Sequence, residues 1–339
     1  MNNRYSYLKA AGFPDRVEGI RLQKAHGPVH VQIILSDLCN QACHFCAYRD
    51  PTYTSSKLFH IEGNYNPNRK LPTEKVIEIL DDCVELGVKA VQYTGGGEPT
   101  IHPDFNYIAE ETMKRGLKWG LVTNGVKRRN YAGASWVRVS LDAGTPKTYS
   151  RIRSVHPSHF DRALETIRLW KTGVGFVITP ENWREVYEAA LLVKDLGATN
   201  IRIGAQFSDK GKDLFKNFDI ECKSLCKAVE DLNCDTFRVH NKFNEKLEDL
   251  EAPPDYERCG YQYFTTYIGA DQNLYRCCVY AYNPRGLVGS IKGRRFKDVW
   301  NENWLGLNAF NAKGCERCQF NNINRTINDL VEAKDVEFV

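Results

Sequence analysis

Between residues 29 and 235 the chain alternates between short β-branched runs and longer helix-periodic segments, and this alternation limits the possible fold more than any other feature. Val29-His-Val-Gln-Ile-Ile-Leu-Ser36 reads as a strand, as do residues 89–94, 117–123, 136–141, 175–179 and 200–204. Helices are expected over 74–86, 102–115, 158–171, 182–196 and 220–232. Thr73 caps the first and Gly87 ends it, Gly116 ends the second, and Asn182 reads as a cap of the fourth. Asn124-Gly125 stops the third strand. Strand and helix in alternation imply βαβ units around a parallel sheet, because parallel neighbours need a crossover between them. Eight units would close a barrel, and the six counted here predict an open, partial (βα)6 barrel. The loops after the strands' C-terminal ends are then the place for chemistry.

The pattern changes after about residue 240. Leu250-Glu-Ala-Pro-Pro254 reads as a linker, and short strands, turns and cysteines follow from Cys259 onward. The expected organisation is an N-terminal extension (1–28, a short helix and a connection), the partial barrel (29–240) and a small cysteine-rich module (241–339). The stretch from Tyr48 to Lys70, with Tyr53, Asn64, Asn66, Pro67 and Asn68, reads as a long loop able to shape a site. At 339 residues with 42% apolar and 26% charged residues, composition excludes disorder, collagen and coiled coil. A net charge of +4 is too mild to require nucleic acid. The N-terminus lacks the apolar segment of a signal peptide, and no run approaches the roughly 18 apolar residues of a membrane span. Expected, therefore, is a cytoplasmic protein without a membrane partner.

Twelve cysteines in a reducing compartment point to metal or redox chemistry before disulfides. Cys39-Asn-Gln-Ala-Cys43-His-Phe-Cys46 puts three thiols within eight residues, directly after the first strand. Three thiolates on one loop can hold three corners of a [4Fe-4S] cluster and leave its fourth iron open. A zinc site would need a fourth ligand, for which His44 is the nearest candidate. Thr94-Gly-Gly-Gly-Glu-Pro99 follows the second strand. Its bare glycines allow close backbone approach, and its carboxylate can pair with an ammonium group. The spacing does not match a dinucleotide loop.

Cys-x3-Cys-x2-Cys with Phe45 before the third cysteine, followed by Gly96-Gly-Glu-Pro99, resembles the radical S-adenosylmethionine (SAM) enzymes. The resemblance covers about residues 29 to 320. It implies a [4Fe-4S] cluster on Cys39, Cys43 and Cys46 whose open iron binds the amino and carboxylate groups of SAM. Reduction then yields a 5′-deoxyadenosyl radical that abstracts hydrogen from a substrate. By the same resemblance Gly96, Gly97, Glu98 and Pro99 meet the methionine amino group. Ser140 and Asp142, in Val-Ser-Leu-Asp, sit beside the cofactor at the fourth strand's end, and Asn124 and Phe45 line the site. Arg153 pairs with the methionine carboxylate, with Arg151 as its rival; a solvated arginine at a helix start is the alternative for either.

Cys259, Cys277, Cys315 and Cys318 form a second set, the last two as C-x2-C, and read as a closed zinc or iron–sulfur site. Within this family they resemble the twitch module, the short form of the SPASM extension, which implies an auxiliary four-cysteine [4Fe-4S] cluster. The family's Asp-Gly-Asn-x-Tyr-x-Cys appears here as Asp271-Gln-Asn-Leu-Tyr-Arg-Cys277, with Gln272 in the glycine position. Cys278 is a rival to Cys277 as ligand. Cys83, Cys222, Cys226 and Cys234 read as ordinary helix residues, with Cys222 and Cys226 on one face.

The expected function is a radical SAM enzyme that oxidises or rearranges a small polar substrate such as an amino sugar or cyclitol, with electrons from a flavodoxin or ferredoxin. A nucleotide or nucleic-acid base is an alternative, for which Lys127-Arg-Arg129, Lys210, Lys212 and Lys292-Gly-Arg-Arg295 beside Phe296 offer basic patches. A peptide substrate and a zinc-stabilised non-catalytic binding protein are the others. No residue of the chain is identified by sequence as the acid, base or hydrogen donor.

Overall fold

A computed structural model describes residues 6–48 and 68–333. Seven strands run parallel in chain order: β1 His30–Ile34, β2 Ala90–Thr94, β3 Lys118–Thr123, β4 Trp136–Ser140, β5 Gly173–Ile178, β6 Asn200–Ala205 and β7 Arg238–Asn241. β7 is missed by sequence because its residues, Arg-Val-His-Asn, lack a β-branched run. The helices are α1 Pro14–Arg21, α2 Thr73–Glu85, α3 Phe105–Lys114, α4 Pro146–Arg153, α5 Ser158–Trp170, α6 Val186–Asp195, α7 Asp219–Val229 and α8 Phe243–Glu248. The expected partial barrel is this arc of parallel strands with helices outside it.

A four-residue helix α9, Tyr261–Phe264, leads into β8 Thr265–Ile268, which pairs parallel with β1. β9 Asn273–Tyr275 and β10 Leu287–Ser290 extend the sheet as antiparallel strands, and α10 Phe296–Asn308 and α11 Asn321–Glu332 complete the chain. One ten-stranded sheet therefore runs β10-β9-β8-β1-β2-β3-β4-β5-β6-β7 among the described residues.

The apolar faces form two main cores. One joins α1, α2, α3 and β1–β3 to the C-terminal elements through Trp119, Ile268, Trp300 and Trp304; the other fills β4–β7 and α4–α8 around Phe176, Phe215 and Phe243. Sheet and first core run across residues 28/29 and 240/241, so the division into extension, barrel and module stands as a proposal about function. Arg295, just ahead of α10, clamps this helix to α2: its Nε lies 2.9 Å from the fully buried Asp82 carboxylate.

Three local expectations differ. Thr73 is the first residue of α2 and not its cap; its hydroxyl donates to Asp104 at 2.6 Å. Asn182 makes no capping bond. Its Oδ1 accepts from Thr179 N, and its Nδ2 donates to the carbonyls of Asp142 and Val177, tying together the ends of β4 and β5. Arg153 ends α4, a helix not expected from sequence, and is buried there. Of the 48–70 loop, Tyr53, Asn64, Asn66 and Pro67 lie outside the described residues, while Ser36 bridges to Lys70.

Candidate active site

The C-terminal ends of β1 to β6 open into a cavity of about 400 Å³. Cys39, Cys43 and Cys46 line it from the loop after β1. That loop rests on α4: Ala42 N donates to Arg153 O at 3.0 Å and His44 N to Ile152 O at 2.9 Å. Gln41 adds a side-chain tie, donating to Tyr149 Oη at 2.8 Å and accepting from Arg153 Nη1 at 2.6 Å. His44 turns out of the cavity toward Ser154 (3.0 Å) and Glu181, which removes it as a fourth metal ligand in this conformation.

The glycine loop after β2 is stitched to the cysteine loop. Gly97 N donates to Ser36 O and Glu98 N to Leu38 O. A Cβ on Gly97 would sit 2.1 Å from Leu38 O, and one on Gly96 2.9 Å from Asp37 Oδ1. Close approach thus demands glycine here. The Glu98 carboxylate is buried and fully engaged: it accepts from Thr100 N and Oγ1, Thr123 Oγ1 and Asn124 N. It braces β2, β3 and the glycine loop, and leaves the backbone of Gly95–Gly97 as the exposed lining.

Arg153 lies beneath the cysteine loop. Its guanidinium pairs with Asp142, donates to Ser140 O at 2.7 Å, and stacks over Phe45 and Tyr149 at 5.9 and 4.9 Å. Its Nε is buried without a hydrogen-bond partner. Asp142 occupies the left-handed region at φ 58°, and its Oδ1 accepts from Val177 N. Burial raises the Asp142 pKa, opposed by Arg153. Of the sequence-predicted cofactor residues, Phe45, Gly96, Gly97, Glu98, Asn124, Ser140, Asp142 and Arg153 line the cavity, and Pro99 is buried behind it at the start of a 3-10 turn. Arg151, the rival, faces outward to Glu181.

Tyr48, where the loop expected to shape a site begins, lines the cavity and meets Tyr282 edge-on. Sequence reading missed other neighbours. Asp37 is buried against Arg69 Nε (2.8 Å) and Tyr282; burial pushes its carboxyl up to about 6, against the pull of Arg69. Arg138 and Arg202 enter the cavity from β4 and β6. Strand alternation gave a usable signal for Arg138, two residues before the inward-facing Ser140.

Cys259, Cys277, Cys315 and Cys318 line a second, small cavity. Cys278 is not among its lining residues: its sulfur accepts from Gln319 Nε2 at 2.7 Å, and it packs between the Ile34–Tyr282 cluster and the Val279–Cys315 cluster. Geometry thus favours Cys277 in the four-cysteine set. Burial pushes Cys259 up to about 12 and raises Cys277, Cys315 and Cys318, so metal loading must displace protons. The β8–β9 turn keeps its left-handed residue, with Gln272 at φ 63°.

No three Cys, His, Asp or Glu side chains among the described residues converge as they would on a single ion. A cube-shaped cluster instead takes thiolates at separate corners. The donors of the first site fit that demand: three thiols on one loop, a cradle that a Cβ would fill, and a buried, unpartnered arginine nitrogen beneath.

The Radical SAM superfamily pattern matches residues 33–193. This stretch is a radical SAM domain. Members of this superfamily are enzymes that use a [4Fe-4S] cluster and SAM. The GTP 3′,8-cyclase of Aquifex aeolicus is 32% identical over 52% of this chain and 57% of that one. The Fe-coproporphyrin III synthase of Methanosarcina barkeri is 28% identical over 44% of this chain and 36% of that one. The chain spans about half the length of the curated relatives it matches, or less. Among solved structures, Streptococcus suis SuiB bound to S-adenosylmethionine superposes with a TM-score of 0.65 at 15% identity, over 91% of this chain and 75% of that one. The anSMEcpe structure with bound AdoMet gives 0.60 at 16%, over 88% and 85%. These two establish the fold.

Several cations of the basic patches have partners. Arg128 pairs with Glu165, Lys212 with Glu251, Arg294 with Glu302 and Arg295 with Asp82, while Arg129 donates to backbone carbonyls and Phe296 is core. Cys83, Cys222 and Cys226 are buried, and the last two sulfurs lie 3.9 Å apart. No helix among the described residues is long and apolar enough to cross a membrane.

Proposed function

We propose that this chain cleaves SAM reductively and uses the product to activate a small polar substrate held inside the barrel. The observation that carries the reading is the convergence of Cys39, Cys43 and Cys46 with the Gly95–Gly97 backbone on one cavity at the strands' C-terminal ends. When bound, a reduced [4Fe-4S] cluster with SAM supplies a 5′-deoxyadenosyl radical. The chain's own residues then have separable tasks. The three thiolates hold the cluster and leave one corner open. The Gly95–Gly97 backbone offers carbonyl oxygens to the methionine ammonium group, since Glu98 is committed internally. Arg153, with an Nε to spare, lies beneath the cysteine loop for the methionine carboxylate. Asn124, Ser140 and Phe45 shape the walls.

Cys259, Cys277, Cys315 and Cys318 are proposed to hold a second, auxiliary [4Fe-4S] cluster in a twitch-type module, with a flavodoxin or ferredoxin as the electron source. A closed set of four ligands suits electron transfer or structural support. Of the substrate classes, a nucleotide gains support from relatives named GTP 3′,8-cyclase. A peptide gains it from a neighbour solved with a precursor peptide. An amino sugar rests only on the resemblance in cysteine spacing. The nucleotide reading is preferred, as a small molecule within the barrel.

Anaerobic reconstitution followed by iron and zinc analysis tests the metal assignment. About eight irons per chain are expected for two four-iron clusters; about four with one zinc would make the C-terminal set structural. Cys43→Ala is expected to abolish 5′-deoxyadenosine formation, and full formation in that variant would overturn the reading.

A further inference from the structure

Arg138 has an unusual position. It projects from the middle of β4 into the barrel and lines two cavities at once. One is the cysteine-lined cavity. The other, of about 610 Å³, opens at the N-terminal ends of the strands, walled by Phe13, Trp136 and Phe264 and rimmed by Lys9, Lys89 and Lys118. The register sets Arg138 opposite Gly173 and two pairs below Ser140 and Gly175. The Arg138 side chain lies along Gly175, where a Cβ would be in ordinary contact with its Cδ at 3.5 Å.

Arg138 is only partly exposed, yet it forms no hydrogen bond or ion pair among the described residues. The acid nearest in influence, Asp142, is committed to Arg153 and Val177 N. Glu98, the other acid on the upper cavity, is saturated by Thr100, Thr123 and Asn124. The lower cavity has no acidic lining residue. Asp142 acts on Arg138 through space but makes no ion pair with it, so the planar donor fork stays open to an oxyanion. Lys89 and Lys118 on the rim below add positive charge to a cavity that has no acidic lining residue, which suits more than one negative charge.

We propose that Arg138 anchors the phosphate group of a phosphorylated small-molecule substrate, deep in the barrel below the SAM-cleaving site. This rests on the radical SAM reading above and assigns its substrate class. The lower cavity gives a polyphosphate room to extend away from the reacting end.

The test is anaerobic calorimetry on the reconstituted chain with inorganic pyrophosphate, citrate, GTP and guanosine, alongside Arg138→Gln and Arg138→Lys. Iron content equal to wild type verifies that each variant has folded. Wild type is expected to bind pyrophosphate more tightly than citrate and GTP more tightly than guanosine. Arg138→Gln is expected to weaken pyrophosphate roughly tenfold to a hundredfold, with Arg138→Lys between. No measurable pyrophosphate binding by wild type, citrate binding as tight as pyrophosphate, or an unchanged affinity in Arg138→Gln would each overturn the proposal. So would loss of SAM affinity with pyrophosphate affinity retained, which would assign Arg138 to the cofactor. Failure of the catalytic reading is separate: it shows as absent iron uptake or absent 5′-deoxyadenosine, whatever the anion affinity.

Discussion

Gln272 shows how one side chain can keep a turn that its identity disfavours. The β8–β9 hairpin needs a left-handed residue so that Gln272 N reaches Gly269 O and Gln272 O accepts from Ile291 N. A non-glycine residue is strained there. Gln272→Gly is expected to raise stability by about 0.5–1 kcal/mol, after subtracting glycine's larger entropy loss; the midpoint of urea unfolding checks it. His26 illustrates a buried titratable group. Its Nδ1 faces Gly27 O, its Nε2 is buried and unpartnered, and its ring packs on Trp304. Burial pushes its pKa down to about 4. The unfolded chain, with an ordinary imidazole near 6.5, takes up more protons between those values, so stability falls as pH drops from about 6.5 through 4. Asp37, raised to about 6, acts in the opposite sense. His26→Phe is expected to lose less melting temperature between pH 7 and pH 4.5 than wild type, and an equal loss would exclude this role.

At the scale of elements, the site depends on loops fastened to one another. The cysteine loop hangs from the end of α4 and from the glycine loop of β2, with Gly97 at the tightest approach. Gly97→Ala would drive a methyl into Leu38 O, and is expected to reduce iron uptake and 5′-deoxyadenosine formation at least tenfold with little change in far-ultraviolet circular dichroism. The α2–α10 clamp is similar in kind. Arg295→Ala leaves Asp82 buried without its cation and is expected to lower the melting temperature, which thermal unfolding reads. Both contacts join segments remote in sequence, Asp82 and Arg295 by 213 residues. Local periodicity places such elements but carries no signal for their partners. For the same reason α4 was missed: Pro146–Arg153 is short and polar, and it is kept helical by Tyr149 and Ile152 in the core and by the Thr145 side-chain cap.

For the whole molecule, the C-terminal strands and helices complete the first core, so a fragment ending at residue 250 is expected to lose cooperative unfolding rather than survive as a barrel. A sharp thermal transition in that fragment would show the barrel to be self-sufficient. The sequence by itself determined the parallel α/β architecture, because alternating periods of two and 3.6 residues admit few layered folds. It also determined the two cysteine sets and the glycine loop, because ligand spacing on a single loop is a local property. Only the tertiary structure decided that Glu98 is an internal brace, that Arg153 is buried against Asp142, that Cys277 rather than Cys278 lines the cavity of the other three cysteines, and that Arg128 is paired while Arg138 makes no hydrogen bond or ion pair among the described residues. Each of these turns on which distant group comes within about 3 Å of a polar atom, and that distance is fixed by the packing of the sheet and its helices rather than by any neighbour in the chain.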